Sequence, residues 1–285
     1  MRPLGGAARS AQGAPVSSCI SFEAHGRDAV SRVVLSNPGK LNAIDIAMWR
    51  ELRALFERLQ ALPVDEAPRA VIVCGEGGQF ASGGDIVEFA TFRFDEAPLH
   101  DFHEHAVAPA LRALLDCDIP LFAQIDGACI GGGFEIAACC DIRICGAASR
   151  FGAPIAKLGF PMAPCELELL ARVAPPAVLR EMLLEARLLD ANRALQLGLV
   201  HAVVADTEVG AVTQQRARQA AAFSPQAARI NKRTLRQLAA GGPTAAERRA
   251  HFSYAASAEH REGVTAFIEK RPPCFRPCRP PCFRP

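Results

Sequence analysis

The chain has 285 residues, 50% of them hydrophobic, enough for one large domain with a substantial core or for two modest ones. Its 32 basic and 30 acidic side chains nearly cancel at a formal +2, so neither a basic stripe for nucleic acid nor an acidic tail for a charged partner is present. No apolar run is long enough to span a bilayer.

Residues 1–18 are rich in Ala, Gly and Ser and show neither the amphipathic face of a transit peptide nor the apolar core of a signal peptide, so a disordered start is expected. "VSRVVLSNP" (30–38) reads as a strand stopped by Asn37-Pro38. In "IDIAMWRELRALFERLQAL" (44–62), Met48, Leu52, Leu55, Phe56 and Leu59 recur at helical spacing, predicting an amphipathic helix that stops before Pro63. "RAVIVCGEG" (69–77), "PLFAQIDG" (120–127) and "DIRICGA" (141–147) are short apolar runs closed by glycine or alanine, read as buried strands. Helices are expected between them at 103–116 and 133–140. Alternating strands and helices predict an α/β fold with crossover connections. After residue 165 the pattern turns helical. Helices are expected over 175–186, 190–200, 207–223, 225–240 and, as one element, 244–271.

Eleven cysteines do not form a disulfide framework, because Cys139 and Cys140 are adjacent and Cys74, Cys117, Cys129 and Cys145 sit in apolar runs. Buried thiols in a reducing cytoplasm explain them better. The tail repeats "RPPCFRP" at 271–277 and 279–285, a composition that builds no core and is expected to be unstructured over 272–285.

Two glycine loops carry the chemistry. "GGQFASGGDIVEF" (77–89) and "ACIGGGFEIAACCD" (128–141) each run from strand through glycine-rich turn into helix. Glycine lets a ligand approach the backbone, and a helix start leaves N–H groups unpaired. Brought together, two such loops can aim two donors at one oxygen, which makes an oxyanion hole. One such loop alone is an ordinary tight turn. The pair, with Glu135 beside the second, points to chemistry on a carbonyl. Glu135 reads either as an acid–base group with a pKa raised by apolar surroundings or as a cap of its own helix.

The motifs "NPGKLNAID" (37–45), "FASGGDI" (80–86), "GACIGGGFEIAACCDIRI" (127–144), "RFGAPIAKLGFP" (150–161), "LLDANRALQLGLVHAVV" (188–204) and "EGVTAFIEKR" (262–271) resemble, in order and spacing, the crotonase superfamily, the enoyl-CoA hydratase/isomerase family. The likeness runs over about residues 19–275. It implies a spiral of ββα units over 19–204, followed by a helical oligomerisation region over 205–271 that assembles trimers or hexamers. It implies an acyl-CoA thioester as substrate, with no cofactor beyond the CoA of that substrate, no metal, and neither nucleic acid nor membrane as partner. By motif position, the Gly84 and Gly132 N–H groups would hold the thioester oxygen, and Glu135 would be the acid–base. Gly84, Asp85, Ile86 and Val87 would line the CoA site, with Lys40 and Leu41 bordering the adenosine. A lysine often found where Val87 stands is missing.

The pattern also breaks. The second glutamate of the family's hydratases, in "FGxPE", is replaced by Ile155 in "FGAPI". Hydration of a 2-enoyl-CoA, the family default, thus competes with single-acid isomerisation, with decarboxylation of an acyl-CoA, and with non-catalytic acyl-CoA binding. Restoring the acid alone, by Ile155→Glu, is expected to leave hydration flat, because the altered "FPMAPCELELL" suggests a rebuilt wall. Glu166 and Glu168 fall in that stretch. As helix acids they are expected to face solvent, with Glu166 reaching the site from the loop as the alternative. In "HDFHEH" (100–105), His100 and His103 are too few for a metal site. His103 and His105 are expected on a solvated helix face, with a place in the acyl pocket as the alternative.

Overall fold

The computed structural model describes residues 17–24 and 29–275. The expected unstructured segments 1–16 and 276–285 lie outside the described residues. Of the remainder of those segments, the Ser18 hydroxyl donates to Asp45, the Cys274 N–H donates to Glu262 at 2.6 Å, and the Phe275 carbonyl accepts from Arg69 at 3.1 Å.

The chain runs β1 (Cys19–Glu23), β2 (Val30–Ser36), α1 (Ile46–Ala61), β3 (Ala70–Gly75), α2 (Ile86–Phe89), α3 (Glu96–Asp101), a π-helical turn (Phe102–Val107), α4 (Ala108–Asp116), β4 (Leu121–Ile125), β5 (Ala128–Ile130), α5 (Gly132–Cys139), β6 (Ile142–Gly146) and β7 (Arg150–Gly152). A 3₁₀ turn (Ile155–Leu158) leads to α6 (Pro164–Leu170), α7 (Pro176–Leu184), β8 (Leu189–Asp190), α8 (Ala191–Gln196), β9 (Ala202–Val204), α9 (Val209–Ala221), α10 (Pro225–Ala239), α11 (Ala245–Ala250) and α12 (Ala258–Ile268).

Six strands form the larger sheet in the order β1-β2-β3-β4-β6-β9, parallel except for β1 against β2. Three short strands, β5-β7-β8, form a second sheet. Strand β3 shows why its sequence is continuously apolar. Val71 and Val73 face the main core with Leu52, Phe56 and Leu114, while Ala70, Ile72 and Cys74 face Ala217 and Ala221 of α9. A parallel strand covered on both sides has no polar face. Helix α1 starts where Asp45 accepts the Met48 N–H at 2.8 Å and buries Met48, Trp49, Leu52, Leu55, Phe56 and Leu59.

Two expected helices are divided. The stretch before β4 is α3, a π turn and α4 rather than one helix over 103–116. The stretch 244–271 breaks into α11, a 3₁₀ turn (His251–Ala256) and α12, because Ser257 is extended and caps His260. The buried-thiol expectation holds: Cys74, Cys117, Cys129, Cys139, Cys140 and Cys145 are buried and free. Burial raises the Cys140 and Cys145 thiols to about 12.

Helix α10 is pinned to the core by one acid. Asp118 is buried, donates its N–H to Gln60 at 2.8 Å, and accepts from Arg233 Nε at 3.0 Å and Arg236 Nη2 at 2.9 Å. Lys232 adds a pair to Asp141 at 2.7 Å. Burial alone would raise the Asp118 carboxyl, but the two guanidinium groups outweigh it and hold the carboxyl below its ordinary range. Its contribution is thus present at neutral pH and lost as pH falls through that depressed value. Asp118→Ala removes the buried acceptor shared by Arg233 and Arg236, although Arg236 keeps the Leu115 carbonyl, and is expected to cost about 2 kcal/mol at pH 7 in urea melts. The difference from wild type should narrow at low pH.

Candidate active site

Strand β3 ends at Gly75, and the chain returns through Ala81–Gly84, bent at Gly83 with a φ of 110°, before Asp85 caps α2 through the Val87 N–H at 3.1 Å. This segment is stitched on two sides. On one, Ala81 donates to the Ala128 carbonyl at 2.9 Å and its own carbonyl accepts from Ile130 at 3.0 Å. On the other, the Ile44 N–H donates to the Gly83 carbonyl at 2.7 Å, and the Asp85 N–H donates to the Ile44 carbonyl at 3.0 Å. The Gly83 carbonyl and the Gly84 N–H lie on opposite sides of one trans peptide, so with the carbonyl bonded to Ile44 the Gly84 N–H points away from Ile44.

That loop leaves β5 through Gly131, whose φ of 49° and ψ of −120° no side-chain-bearing residue adopts comfortably. The two loops touch: a Cβ on Gly131 would lie 3.5 Å from Gly83 Cα. Gly132 opens α5, so its N–H has no partner within the helix. Among the described residues, neither the Gly84 nor the Gly132 N–H is taken by an acceptor of the chain. Both glycines are packed too closely for a side chain. A Cβ on Gly84 would meet Phe89 at 2.2 Å, and one on Gly132 would meet Trp49 at 2.9 Å and stand 4.0 Å from Glu135 Oε2.

These two loops form one rim of a cavity of about 170 Å³. Its wall is apolar, with Trp49, Phe89, Phe102, Ile155, Phe160 and Met162. Glu135 enters it from the first turn of α5 and is only 4% exposed. Burial, and after it the charge of Glu166, raises its carboxyl well above the ordinary 4.5. Glu135 is therefore not a solvated helix cap.

Glu166 corrects the sequence expectation. It is not a solvent-facing helix acid: it is 5% exposed and lines the same cavity, at the start of α6. Glu168 does face solvent, paired with Arg172 at 2.9 Å. His103 is likewise in the cavity rather than on a solvated face. Its Nδ1 lies 2.5 Å from Glu166 Oε1, and its Nε2 lies 3.4 Å from Arg93 Nη2. His100 and His105 are exposed and stack edge-on, 6.4 Å apart. Arg93, which no sequence motif singles out, lies over the rings of Phe89 at 4.3 Å and Phe160 at 3.7 Å. Burial lowers its pKa, and Glu166 opposes that shift.

Of the remaining sequence candidates, Gly84, Ile86, Gly132 and Ile155 line the cavity. Lys40, Leu41, Asp85 and Val87 stand outside it. Lys40 pairs with Asp85 at 2.5 Å, and Val87 is 73% exposed. Burial opposes the Asp85 charge, but the Lys40 ammonium and the Val87 N–H outweigh it and hold the carboxyl below its usual value. No group of three metal-ligating side chains, and no helix long and apolar enough to cross a membrane, occurs among the described residues.

The sequence profile described as "Enoyl-CoA hydratase/isomerase" matches residues 25–277. A "Probable enoyl-CoA hydratase" of Rhizobium meliloti (strain 1021) is 32% identical over 263 residues, covering 90% of this chain and 97% of that protein. A "Carnitinyl-CoA dehydratase" of Proteus mirabilis (strain HI4320) is 32% identical over 255 residues, covering 87% and 95%. The crystal structure of an enoyl-CoA hydratase/carnithine racemase from Magnetospirillum magneticum superposes with a TM-score of 0.84 at 35% identity, covering 90% of this chain and 97% of that one. With both glycine loops and the buried acid of α5 in place, the chain has the crotonase fold and belongs to the enoyl-CoA hydratase/isomerase family of enzymes.

Proposed function

We propose that the cavity binds an acyl-CoA thioester, stabilises its enolate between the Gly84 and Gly132 N–H groups, and uses Glu135 as an acid–base toward the acyl carbons, with hydration of a 2-enoyl-CoA as the reaction. The observation that carries this reading is the convergence of two unpaired backbone donors, from two touching loops, beside one buried carboxyl. Charge that develops on the thioester oxygen would meet two fixed dipoles in a dry pocket. One such donor is worth roughly 3 kcal/mol in the transition state. The chemistry calls for no cofactor beyond the CoA carried by the substrate. The outer pantetheine and adenosine would run along Ile86 and Val87 toward Lys40 and Leu41, where exposed apolar surface and one ammonium are available. The hydratase and dehydratase descriptions of two relatives support water addition or removal, one equilibrium written in two directions.

The assembly belongs to the same proposal. Leu235, Leu238, Phe252, Phe267 and Ile268 of the C-terminal helices are exposed, more apolar surface than a lone chain leaves to water without use. A threefold oligomer would cover it. The buried free thiols support a reducing compartment, the cytoplasm.

Three outcomes are expected. Glu135→Gln should lower kcat for crotonyl-CoA hydration by about a hundredfold or more, with acyl-CoA binding retained; unchanged turnover would refute the assignment. The same variant should change the pH dependence of stability. A carboxyl whose pKa is raised in the folded state favours folding most below its ordinary 4.5 and costs stability as pH rises toward the folded value. The limit is about 1.4 kcal/mol per pH unit. Glu135→Gln should therefore melt above wild type by a margin that grows as pH rises from 4.5 toward the folded value and levels off beyond it. Light scattering at micromolar concentration should return the mass of a trimer or a hexamer, and a monomer would contradict the assembly.

A further inference from the structure

The cavity holds a second buried carboxyl that the reading above leaves without a role. We infer that Glu166, positioned by His103 and Arg93, is the second acid–base group of this site, the partner of Glu135 that Ile155 cannot be. The inference rests on the thioester reading of the pocket.

The hydrogen-bond geometry sets the protonation pattern. An arginine has only donors, so the Arg93 Nη2 facing His103 Nε2 at 3.4 Å makes that nitrogen the acceptor. The imidazole proton then belongs on Nδ1, where Glu166 Oε1 waits at 2.5 Å. Glu166 is thereby the acceptor, the part of a carboxylate. Glu135 has no such donor. Among the described residues it accepts no side-chain hydrogen bond, and it is held neutral by apolar surroundings and by the neighbouring negative charge. Two carboxyls whose surroundings divide them into one acid and one base are what water addition needs.

The local structure is built for this arrangement. His103 sits in the π turn between α3 and α4, an irregularity frequent at functional sites because it re-aims a side chain. Arg93 is clamped over the rings of Phe89 and Phe160, and its Nε is buried without a partner. Burying Glu166, His103 and Arg93 against one wall costs desolvation that apolar residues would avoid, so the chain retains them at the expense of stability.

The step balances as follows. Glu166 takes a proton from water as the water oxygen bonds to the β carbon. The C=C electron pair moves toward the thioester, whose oxygen is held by Gly84 and Gly132, and Glu135 gives its proton to the α carbon. One proton passing from Glu166 to Glu135, through solvent, resets the site. Net, one water adds to one 2-enoyl thioester.

The test compares two readouts, with crotonyl-CoA and longer 2-enoyl-CoAs for hydration and butyryl-CoA in D₂O for α-proton exchange. Wild type should show both. Glu166→Gln, nearly isosteric, should lower hydration about a hundredfold or more while exchange persists, since exchange needs only the oxyanion hole and the ionised form of Glu135, which loss of the neighbouring charge favours. His103→Asn should lower kcat with KM unchanged, the mark of a positioning residue rather than of a disturbed pocket. Ile155→Glu should give no gain. Full hydration by folded Glu166→Gln and His103→Asn would overturn the inference and leave the thioester reading standing. So would exchange without hydration at any chain length in wild type, the signature of single-acid chemistry. Absence of both acyl-CoA binding and exchange in wild type would overturn the thioester reading itself, and the inference with it.

Discussion

Four residues, Ala81–Gly84, are held by backbone hydrogen bonds to Ala128 and Ile130 on one side and to Ile44 on the other. Much of the site follows from that double stitching. It brings Gly83 against Gly131, points the Gly84 N–H away from Ile44 at a residue that lines the cavity, and delivers Asp85 to the start of α2 with Lys40 as its partner. From there one short helix puts Phe89 under Gly84, and Arg93 over Phe89. A side chain at position 84 would displace Phe89, and with it the support of Arg93. The backbone donor at Gly84 and the charged cluster are therefore mechanically connected, although one is backbone and the other side chain. Backbone tied on two sides by hydrogen bonds positions donors better than a free loop, because those bonds have already offset the cost of ordering.

The electrostatics work against folding at the same place. Two carboxyls share an apolar cavity, which water would normally separate and solvate. The structure resolves the conflict by giving them unequal surroundings: Glu135 sees rings and methyl groups, whereas Glu166 sees an imidazole backed by a guanidinium. In the proposed function the apolar wall that raises Glu135 would also strengthen the pull of the Gly84 and Gly132 dipoles on a thioester oxygen, because both effects scale inversely with local dielectric. A polar substitution in that wall, at Phe102 or Met162 for example, would weaken both at once.

Strands β2, β3, β4 and β6, helix α1 and both glycine loops were legible in the sequence because each depends on local pattern, whereas β1 and β9, the two edges of the larger sheet, were not read. Strand β3 is continuously apolar, α1 repeats at helical spacing, and Gly131 answers a backbone angle that only glycine tolerates well. Strands β5, β7 and β8 were not, since two or three residues carry no periodicity and owe their form to pairing across the spiral. The division of 244–271 could have been found, as Ser257 is an N-cap residue followed by a helical run. Glu166 and His103 could not be placed from local pattern. A glutamate in the first turn of a helix is usually solvated, and only the approach of α6 to α5 and to the π turn buries this one. Arg93 gave no signal for the same reason: its two rings come from different segments, and Phe160 is distant in sequence.

Ile155 and Glu166 are better understood together than as a loss and an unrelated acid. Both line the cavity, one from the 3₁₀ turn after β7 and the other from α6. What a proton-transfer group must satisfy is a position relative to the substrate carbons, not a place in a motif. With Glu166 buried and hydrogen-bonded to His103, a third carboxyl at position 155 would face two others across a small apolar space. It would either stay protonated or drive Glu135 further from ionisation. An isoleucine there avoids that repulsion and adds apolar surface to the cavity that Glu135 enters, so the two positions are expected to tolerate exchange only as a pair.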